Sequence, residues 1–293
     1  MLNLSEIFRM RHEFRFISTD MSLMKNKLDL NATTSEHKGL KGLFEQLLRR
    51  FKVAMHLVTM LPVYLFACLV LGVSLTPSVM LFRFVQENTQ GFASPLQSLF
   101  FALSLACGYF VYGTTLIFVA PLVNKILVGR LQEWRGNYYS AESLRWFVHN
   151  GLTYLARFTF LEFVTPSPLA QFFYRMMGMK IGNGVVINST WISDPSLIEM
   201  KDKVTIGGSV TIVAHYGQGG LLVISPVVIG SNCTIGLKAT IMGGCVIGDG
   251  AKLLPHSVLL PKTIVPAGET WGGVPAQKID VRKIYSENSN KVA

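Results

Sequence analysis

Two histidines in the C-terminal half of this 293-residue chain, His215 and His256, could exchange a proton near neutral pH. An unperturbed imidazole titrates at about pH 6.5, which suits taking a proton from a hydroxyl or an amine and returning it later. His215 stands third in the segment VAHYGQGGLLVISPV, and His256 lies in Leu254-Pro255-His256-Ser257. Between them, Gly243 and Gly244 permit another group to approach the backbone closely. Lys238, Lys252, Lys262, Lys278 and Arg282 supply positive charge. Metal chemistry has little to work with. Cys68, Cys107, Cys233 and Cys245 sit in apolar surroundings with no pair at metal-ligand spacing, and a zinc site of three histidines needs more than these two. No disulfide framework follows either.

The elements that hold these residues are set by a period of six. Across 228–275, Ile229, Ile235, Ile241, Ile247, Leu253, Leu259, Val265 and Trp271 recur every six residues. Four residues after each of the first six comes a small residue: Cys233, Ala239, Cys245, Ala251, Ser257 and Thr263. A helix repeats near 3.6 and a strand near 2, so neither explains this spacing. A short strand plus a turn does, and three such units per coil stack into a parallel β-helix. Residues one coil apart then lie over one another, as Ile229, Ile247 and Val265. Tight corners suit Gly230, Gly236, Gly248 and Gly250.

Upstream, the coil starts at Ile181-Gly182 and runs to Ile187, loses phase over 188–197, and resumes with Met200, Ile206-Gly207 and Ile212. Ile198, Val204 and Val210 offer a competing register; the first is favoured because it repeats the Ile-Gly pairing. Between Ile212 and Ile229 the spacing widens to seventeen, an excursion near whose start His215 lies. A loop interrupting a rigid coil is where function tends to sit.

This pattern resembles the left-handed β-helix of the hexapeptide-repeat acyltransferases, whose hexapeptide begins with Leu, Ile or Val, often followed by Gly, with a small residue in fifth place. Gly272-Gly273-Val274-Pro275-Ala276 resembles that family's closing segment, and the likeness covers about a third of the chain. The resemblance implies transfer of an acyl group from a thioester, with His215 as general base and His256 as the alternative. It also implies acyl-CoA, or an acyl carrier protein, as donor substrate and no permanently bound cofactor. Gly243 and Gly244 would then face the pantetheine arm, and Lys262 and Lys278 the phosphates. A homotrimer with the donor between neighbouring coils is the further implication.

Composition adds a membrane. Hydrophobic residues make up 50% and charged residues only 15%, and the mean hydropathy is +0.39; wholly soluble chains rarely combine these. The net charge of +10 has no helix-turn-helix, zinc or aromatic RNA signature beside it, so nucleic acid is not an expected partner. No charged residue occurs over 53–82 or 88–124, and about 20 apolar residues suffice to cross a bilayer. We place spans near 53–75 and 99–123, with Pro62 and Pro77 as kink or end points and 83–95 as the connection. Lys38, Lys41, Arg49, Arg50 and Lys52 precede the first span and Lys125, Arg130 and Arg135 follow the second, whereas Arg83 alone lies between. The positive-inside rule therefore puts both ends in the cytosol, at the cell's inner membrane. Over 38–52, Leu40, Leu43, Phe44, Leu47, Leu48 and Phe51 recur at helical spacing among basic residues, the pattern of a helix on a membrane surface. His56 lies inside the first span and His149 outside the coil.

Ser140, Glu142 and Ser143 read as a helix start. The apolar stretch 152–179 is broken by Arg157, Glu162, Pro166, Pro168 and Arg175, which argues for two helices flanking Thr165-Pro166-Ser167-Pro168 over a third span; composition alone leaves that crossing open. Trp134-Arg135-Gly136 with Tyr138 and Ser140, Arg145-Trp146-Phe147, and Phe173-Tyr174-Arg175-Met176-Met177-Gly178 resemble the membrane-associated acyltransferase-like units at the C-terminus of certain peptide synthetases, the poly-lysine type among them. The expected organisation is a cytosolic tail with an amphipathic helix (1–52), a two-span hairpin (53–124), an interfacial helical linker (125–180), the β-helix (181–276) and a tail (277–293). The expected function is membrane-anchored acyl transfer, most simply of acetyl, to a hydroxyl or amine of a membrane- or glycan-associated acceptor. A synthetase-like amide-forming unit and a non-catalytic β-helix scaffold are the alternatives.

Overall fold

The computed structural model describes residues 34–35 and 37–280. The N-terminal tail before them, Arg282 and the C-terminal tail from 281 lie outside the described residues. Helix α1 (Gly39–Arg50) buries Gly42, Glu45 and Leu48 and turns Leu40, Leu43, Leu47 and Phe51 outward. The buried face carries one polar side chain, Glu45, which accepts from Ser35 Oγ at 2.6 Å and from the Ala141 amide at 3.0 Å.

Helices α2 (Lys52–Asn88) and α3 (Ser94–Leu127) form the hairpin. Met60–Asn88 and Ser94–Leu127 are each long and apolar enough to cross a membrane. The helix is longer than the span expected near 53–75: α2 continues past Pro77, Arg83 and Glu87 to Asn88, and the connection is five residues, 89–93, inside the expected 83–95. The physical reason is that a charge ends an apolar stretch without ending a helix, and membrane helices tolerate proline. Ser78 Oγ donates to the Gly108 carbonyl at 2.6 Å and the Phe82 and Phe101 rings stand 5.6 Å apart, so the two helices run antiparallel.

Helix α4 (Ala141–Ala156) starts where Ser140 and Ser143 place it. Ser140 Oγ accepts from the Ser143 amide at 3.1 Å while Ser143 Oγ accepts from the Ser140 amide at 3.2 Å, a reciprocal cap. It passes into a π-helical turn, Arg157–Leu161, and after the Thr-Pro-Ser-Pro segment α5 (Pro168–Met176) follows with Pro168 in its first turn. Both helices pack on α3. Phe160 fills the space that a side chain at Gly113 would need, since an added Cβ would lie 2.0 Å from its ring, and the Phe118 and Phe172 rings are 5.1 Å apart.

From Lys180 the chain coils into three parallel sheets. Ile181, Met200, Ile229, Ile247 and Val265 stack on one side. Ile187, Ile206, Ile235, Leu253 and Trp271 stack on the second, and Ile192, Ile212, Ile241 and Leu259 on the third. The two upstream registers are not rivals. Ile198, Val204 and Val210 are buried as fully as Met200, Ile206 and Ile212, because these hexapeptides send both the strand aliphatic and the residue two before it inward. The 188–197 stretch also stays within the coil: Ile192-Ser193 pairs with Ile212-Val213, and the phase is lost in a single 3-10 turn, Pro195–Leu197.

The excursion after Ile212 is not an irregular loop. Strands His215–Gln218 and Leu221–Ile224 form an antiparallel hairpin closed by Gly219-Gly220, both at positive φ, the geometry of a two-residue hairpin turn. Trp134–Asn137 adds a third strand along Leu221–Ile224, a strand within the stretch expected to be helical. Trp134 folds its ring over Gly136, where an added Cβ would meet it at 2.2 Å, which accounts for the Trp-Arg-Gly run. The coil interior and the packed faces of α3, α4 and α5 form one continuous core.

Candidate active site

His215 begins the hairpin directly above the end of the strand pair Ser193 and Val213. Its Nδ1 lies 2.5 Å from Oδ2 of Asp194, a residue fully buried at positive φ where the coil loses phase. Oδ2 also accepts from the Ala214 amide at 3.1 Å, and Oδ1 accepts from Trp146 Nε1 at 2.7 Å and Asn150 Nδ2 at 2.6 Å. A carboxylate has about four lone-pair sites, and here each oxygen takes two donors. The His215 side chain keeps 21% of its surface exposed, and Nε2 is the ring nitrogen that Asp194 does not engage. With Nδ1–H donating to the carboxylate, Nε2 carries the lone pair that a general base needs.

Burial works against a charge on Asp194, but the hydrogen bond and charge of His215, then Asn150 and His149, outweigh it and hold the carboxyl below its usual range. Burial pushes His149 down to about 4, with Asp194 pulling the other way. His149 meets Asn124 Oδ1 through Nδ1 at 2.8 Å, so α4 is tied to α3 beside the dyad, and its Nε2 is buried without a hydrogen-bond partner among the described residues. His56 lies within α2.

Gly243, Gly244 and Lys262 come to the same corner as His215. An added Cβ on Gly243 would meet the Ala214 carbonyl carbon and His215 N at 3.0 Å; one on Gly244, at φ +81, would meet Lys262 Cγ at 2.8 Å and Ser225 Oγ at 3.1 Å. At Gly243 the neighbour is the foot of the hairpin, and at Gly244 it is the Lys262 side chain and Ser225. Ser225 Oγ donates to Glu133 at 2.9 Å, which brings a carboxylate to the same rim. Lys278 is elsewhere: it bonds Glu269 at 2.5 Å on a strand that folds back on Trp271, in the sheet of Ile187 and Ile206, whereas His215 leaves the sheet of Ile192 and Ile212. His256 is an exposed corner residue at φ 57, one of a recurring set with Lys238 and Lys262, and its amide donates to Leu237.

Asp194, Trp146 and Asn150 are the site residues that sequence reasoning missed. The available signal was an acidic residue in the phase break, one coil before His215.

Residues 223–261 match the family described as bacterial transferase hexapeptide (six repeats). The chain is 28% identical over 151 residues to the delta-poly-L-ornithine synthetase of Acinetobacter baumannii (strain AB307-0294), a match that covers 52% of this chain and 11% of that protein. The chain thus spans about a tenth of that relative's length, on the synthetase side of the resemblance that its Trp134 and Phe173 segments carry. Among solved structures, a hexapeptide-repeat-containing acetyltransferase of Vibrio cholerae aligns over 46% of this chain and 91% of its own at 17% identity and a TM-score of 0.37. A maltose O-acetyltransferase of Clostridium difficile 630 aligns over 51% and 93% at 19% identity and a TM-score of 0.37. The six-residue ladders continue the matched segment on both sides, so the part of the chain from Lys180 is a hexapeptide-repeat coil similar to that of the bacterial transferases.

Proposed function

We propose that this chain transfers an acyl group, most simply acetyl, from a CoA-type thioester to a hydroxyl or amine of a membrane- or glycan-associated acceptor. The observation that carries the reading is the His215–Asp194 pair at the foot of an excursion from a hexapeptide coil. His215 Nε2 takes the acceptor's proton as its oxygen or nitrogen bonds to the thioester carbonyl carbon. The carbon–sulfur bond then breaks and the thiolate leaves with the proton from the imidazolium. A galactoside acetyltransferase among the similar solved structures is described in complex with coenzyme A, and the Vibrio cholerae acetyltransferase in complex with acetyl coenzyme A. In this reading the donor lies along the corner of Ser225, Gly244 and Lys262, between the left-handed coils of a homotrimer, and Lys278 serves its phosphates from a second coil.

The hairpin is proposed to span the inner membrane with both ends cytosolic, which supplies a tethered enzyme at a high effective concentration of lipid-linked acceptor. The outward apolar stripe of α1 supports contact with the same membrane surface. The likeness to delta-poly-L-ornithine synthetase favours a second reading, amide formation on a synthetase-bound amine.

The test follows thioester loss from acetyl-CoA, longer acyl-CoA and acyl carrier protein, with crude membrane lipid and glycan as acceptors and mass spectrometry of the products. Turnover on a hydroxyl or a lipid-linked amine supports the first reading, and turnover only on a carrier-bound amino acid supports the second. Absence of turnover with every donor replaces both with a non-catalytic scaffold. A reporter fused after Ala293 that reads out as non-cytosolic overturns the topology.

A further inference from the structure

The saturated carboxylate of Asp194 draws half of its donors from outside the coil. Oδ2 is held by the coil itself, through the Ala214 amide and His215, whereas both donors to Oδ1, Trp146 Nε1 and Asn150 Nδ2, stand on α4. Asn150 closes a second link, its Oδ1 accepting from the Asp194 amide at 3.2 Å, so the side chain grips this residue at both backbone and carboxylate. Trp146 reaches past the carboxylate as well: its ring stands 4.8 Å from the His215 imidazole at 73°, edge to face. His149, beside Asn150 on α4, meets Asn124 on α3.

We infer that Trp146 and Asn150 are positioning residues that act through Asp194, so that a helix outside the hexapeptide coil sets the tautomer of the candidate base. The physical reason lies in the geometry of the acceptor. With Oδ1 occupied on both lone pairs, the carboxylate cannot turn and has no site left for a proton; Oδ2 then presents a single direction to Nδ1, and the imidazole proton stays on Nδ1. Remove the Oδ1 donors and the carboxylate gains a rotation and a free lone pair in a dry site. The imidazole can then populate the other tautomer, with Nε2 protonated and unable to accept. The hexapeptide coil alone would therefore hold His215 without fixing it, and α4, packed on the hairpin, completes the site.

The inference rests on the acyl-transfer reading for its kinetic test but not for its spectroscopic one. The full chain in nanodiscs, labelled with ¹⁵N-histidine, reports the His215 tautomer from its imidazole nitrogen shifts, assigned by difference from His215→Ala. The wild type is expected to show a protonated Nδ1 and an unprotonated Nε2, and Asn150→Ala and Trp146→Phe to move both signals toward averaged tautomers. With acetyl-CoA and crude membrane acceptor, each variant is expected to lose about 10- to 100-fold in kcat with the donor KM within about two-fold, the scale of one charge-assisted hydrogen bond carried into the transition state. Placed on His215→Ala, Asn150→Ala is expected to cost no further turnover, because its effect passes through the missing imidazole. Unchanged nitrogen shifts, or an equal loss in the His215→Ala background, would overturn the inference and leave the two residues as anchors of α4. Trp146→Phe keeps an aromatic ring at this place on α4 while removing the indole N–H, so it answers the question if Asn150→Ala does not fold. A wild type that turns over no thioester overturns the acyl-transfer reading, and the nitrogen shifts still decide this one.

Discussion

His215 Nδ1 and Asp194 Oδ2 stand 2.5 Å apart across 21 residues of chain, which is one turn of the coil plus the step into the hairpin. The pair exists because Ser193 and Val213 are neighbours in one parallel sheet, so the residues that follow them leave the coil side by side. That relationship makes the function testable residue by residue.

Replacing the base separates the two histidines. His215→Ala is expected to lower kcat by about 10²- to 10⁴-fold, the usual contribution of a positioned base, and to lower Tm as well, because the buried Asp194 carboxylate loses its closest partner. His256→Ala should keep turnover within a few-fold, since the residue occupies an exposed corner and donates its amide to Leu237. Turnover at saturating donor and unfolding on the same preparations decide it; loss in His256→Ala alone would move the active site to the other coil.

Asp194→Asn changes one acceptor oxygen into an NH₂ group that faces donors on either side. With the amide turned one way Trp146 Nε1 and Asn150 Nδ2 lose their acceptor, and turned the other way the Ala214 amide does and His215 must present a bare Nδ1, at about 1–3 kcal/mol for each donor left buried. A clear fall in Tm together with at least about a 100-fold loss of kcat is expected. Retained activity in a stable Asp194→Asn chain would show that the carboxylate does not orient the base.

The pH dependence of stability should carry the mark of His149. Its folded pKa of about 4 lies below the ~6.5 of an exposed imidazole, so between those values the unfolded chain binds more protons. The stability it contributes is complete above about pH 6.5 and is lost as pH falls toward 4, at most about 3 kcal/mol from this one group. Asp194, held below its usual range, adds a loss in the same direction once the pH falls below the ordinary carboxylate pKa. His149→Gln should flatten the slope between pH 6.5 and 4; chemical unfolding at fixed pH intervals measures it.

Two glycines offer opposite outcomes. Gly243→Ala presses a methyl group on the backbone of Ala214 and His215, and is expected to cost about 1–3 kcal/mol of stability and roughly ten-fold in kcat as His215 shifts. Gly151→Ala, in the interior of α4 with open space around it, should instead raise stability by about 0.5–1 kcal/mol and leave turnover alone. A destabilising Gly151→Ala would mean that this face of α4 is covered.

The coil was legible because its cause is local. A strand and a corner repeat within six residues, so Ile229 through Trp271 state the architecture without reference to anything distant, and the ladders stack as the spacing requires. The same holds for the cap at Ser140 and for the two apolar helices, although α2 outruns its uncharged stretch because helix and hydropathy end for different reasons. His215 was legible as a titratable residue near the start of a break in a rigid pattern. The hairpin that carries it had a readable sign in Gly219-Gly220, but its third strand did not, since Trp134–Asn137 pairs with Leu221–Ile224 across most of the coil's own length of chain.

What surrounds His215 was decided only by the tertiary structure. Asp194 lies where the six-residue phase fails, so the pattern that revealed the coil made this position look like noise. Trp146 and Asn150 are 48 and 44 residues from Asp194 in sequence, on a helix with no periodic relation to the coil. Periodicity fixes how a segment folds upon itself, whereas the partners of a buried carboxylate are chosen by how separate elements pack, and a hydrogen bond of 2.6 Å between them leaves no trace in the spacing of either.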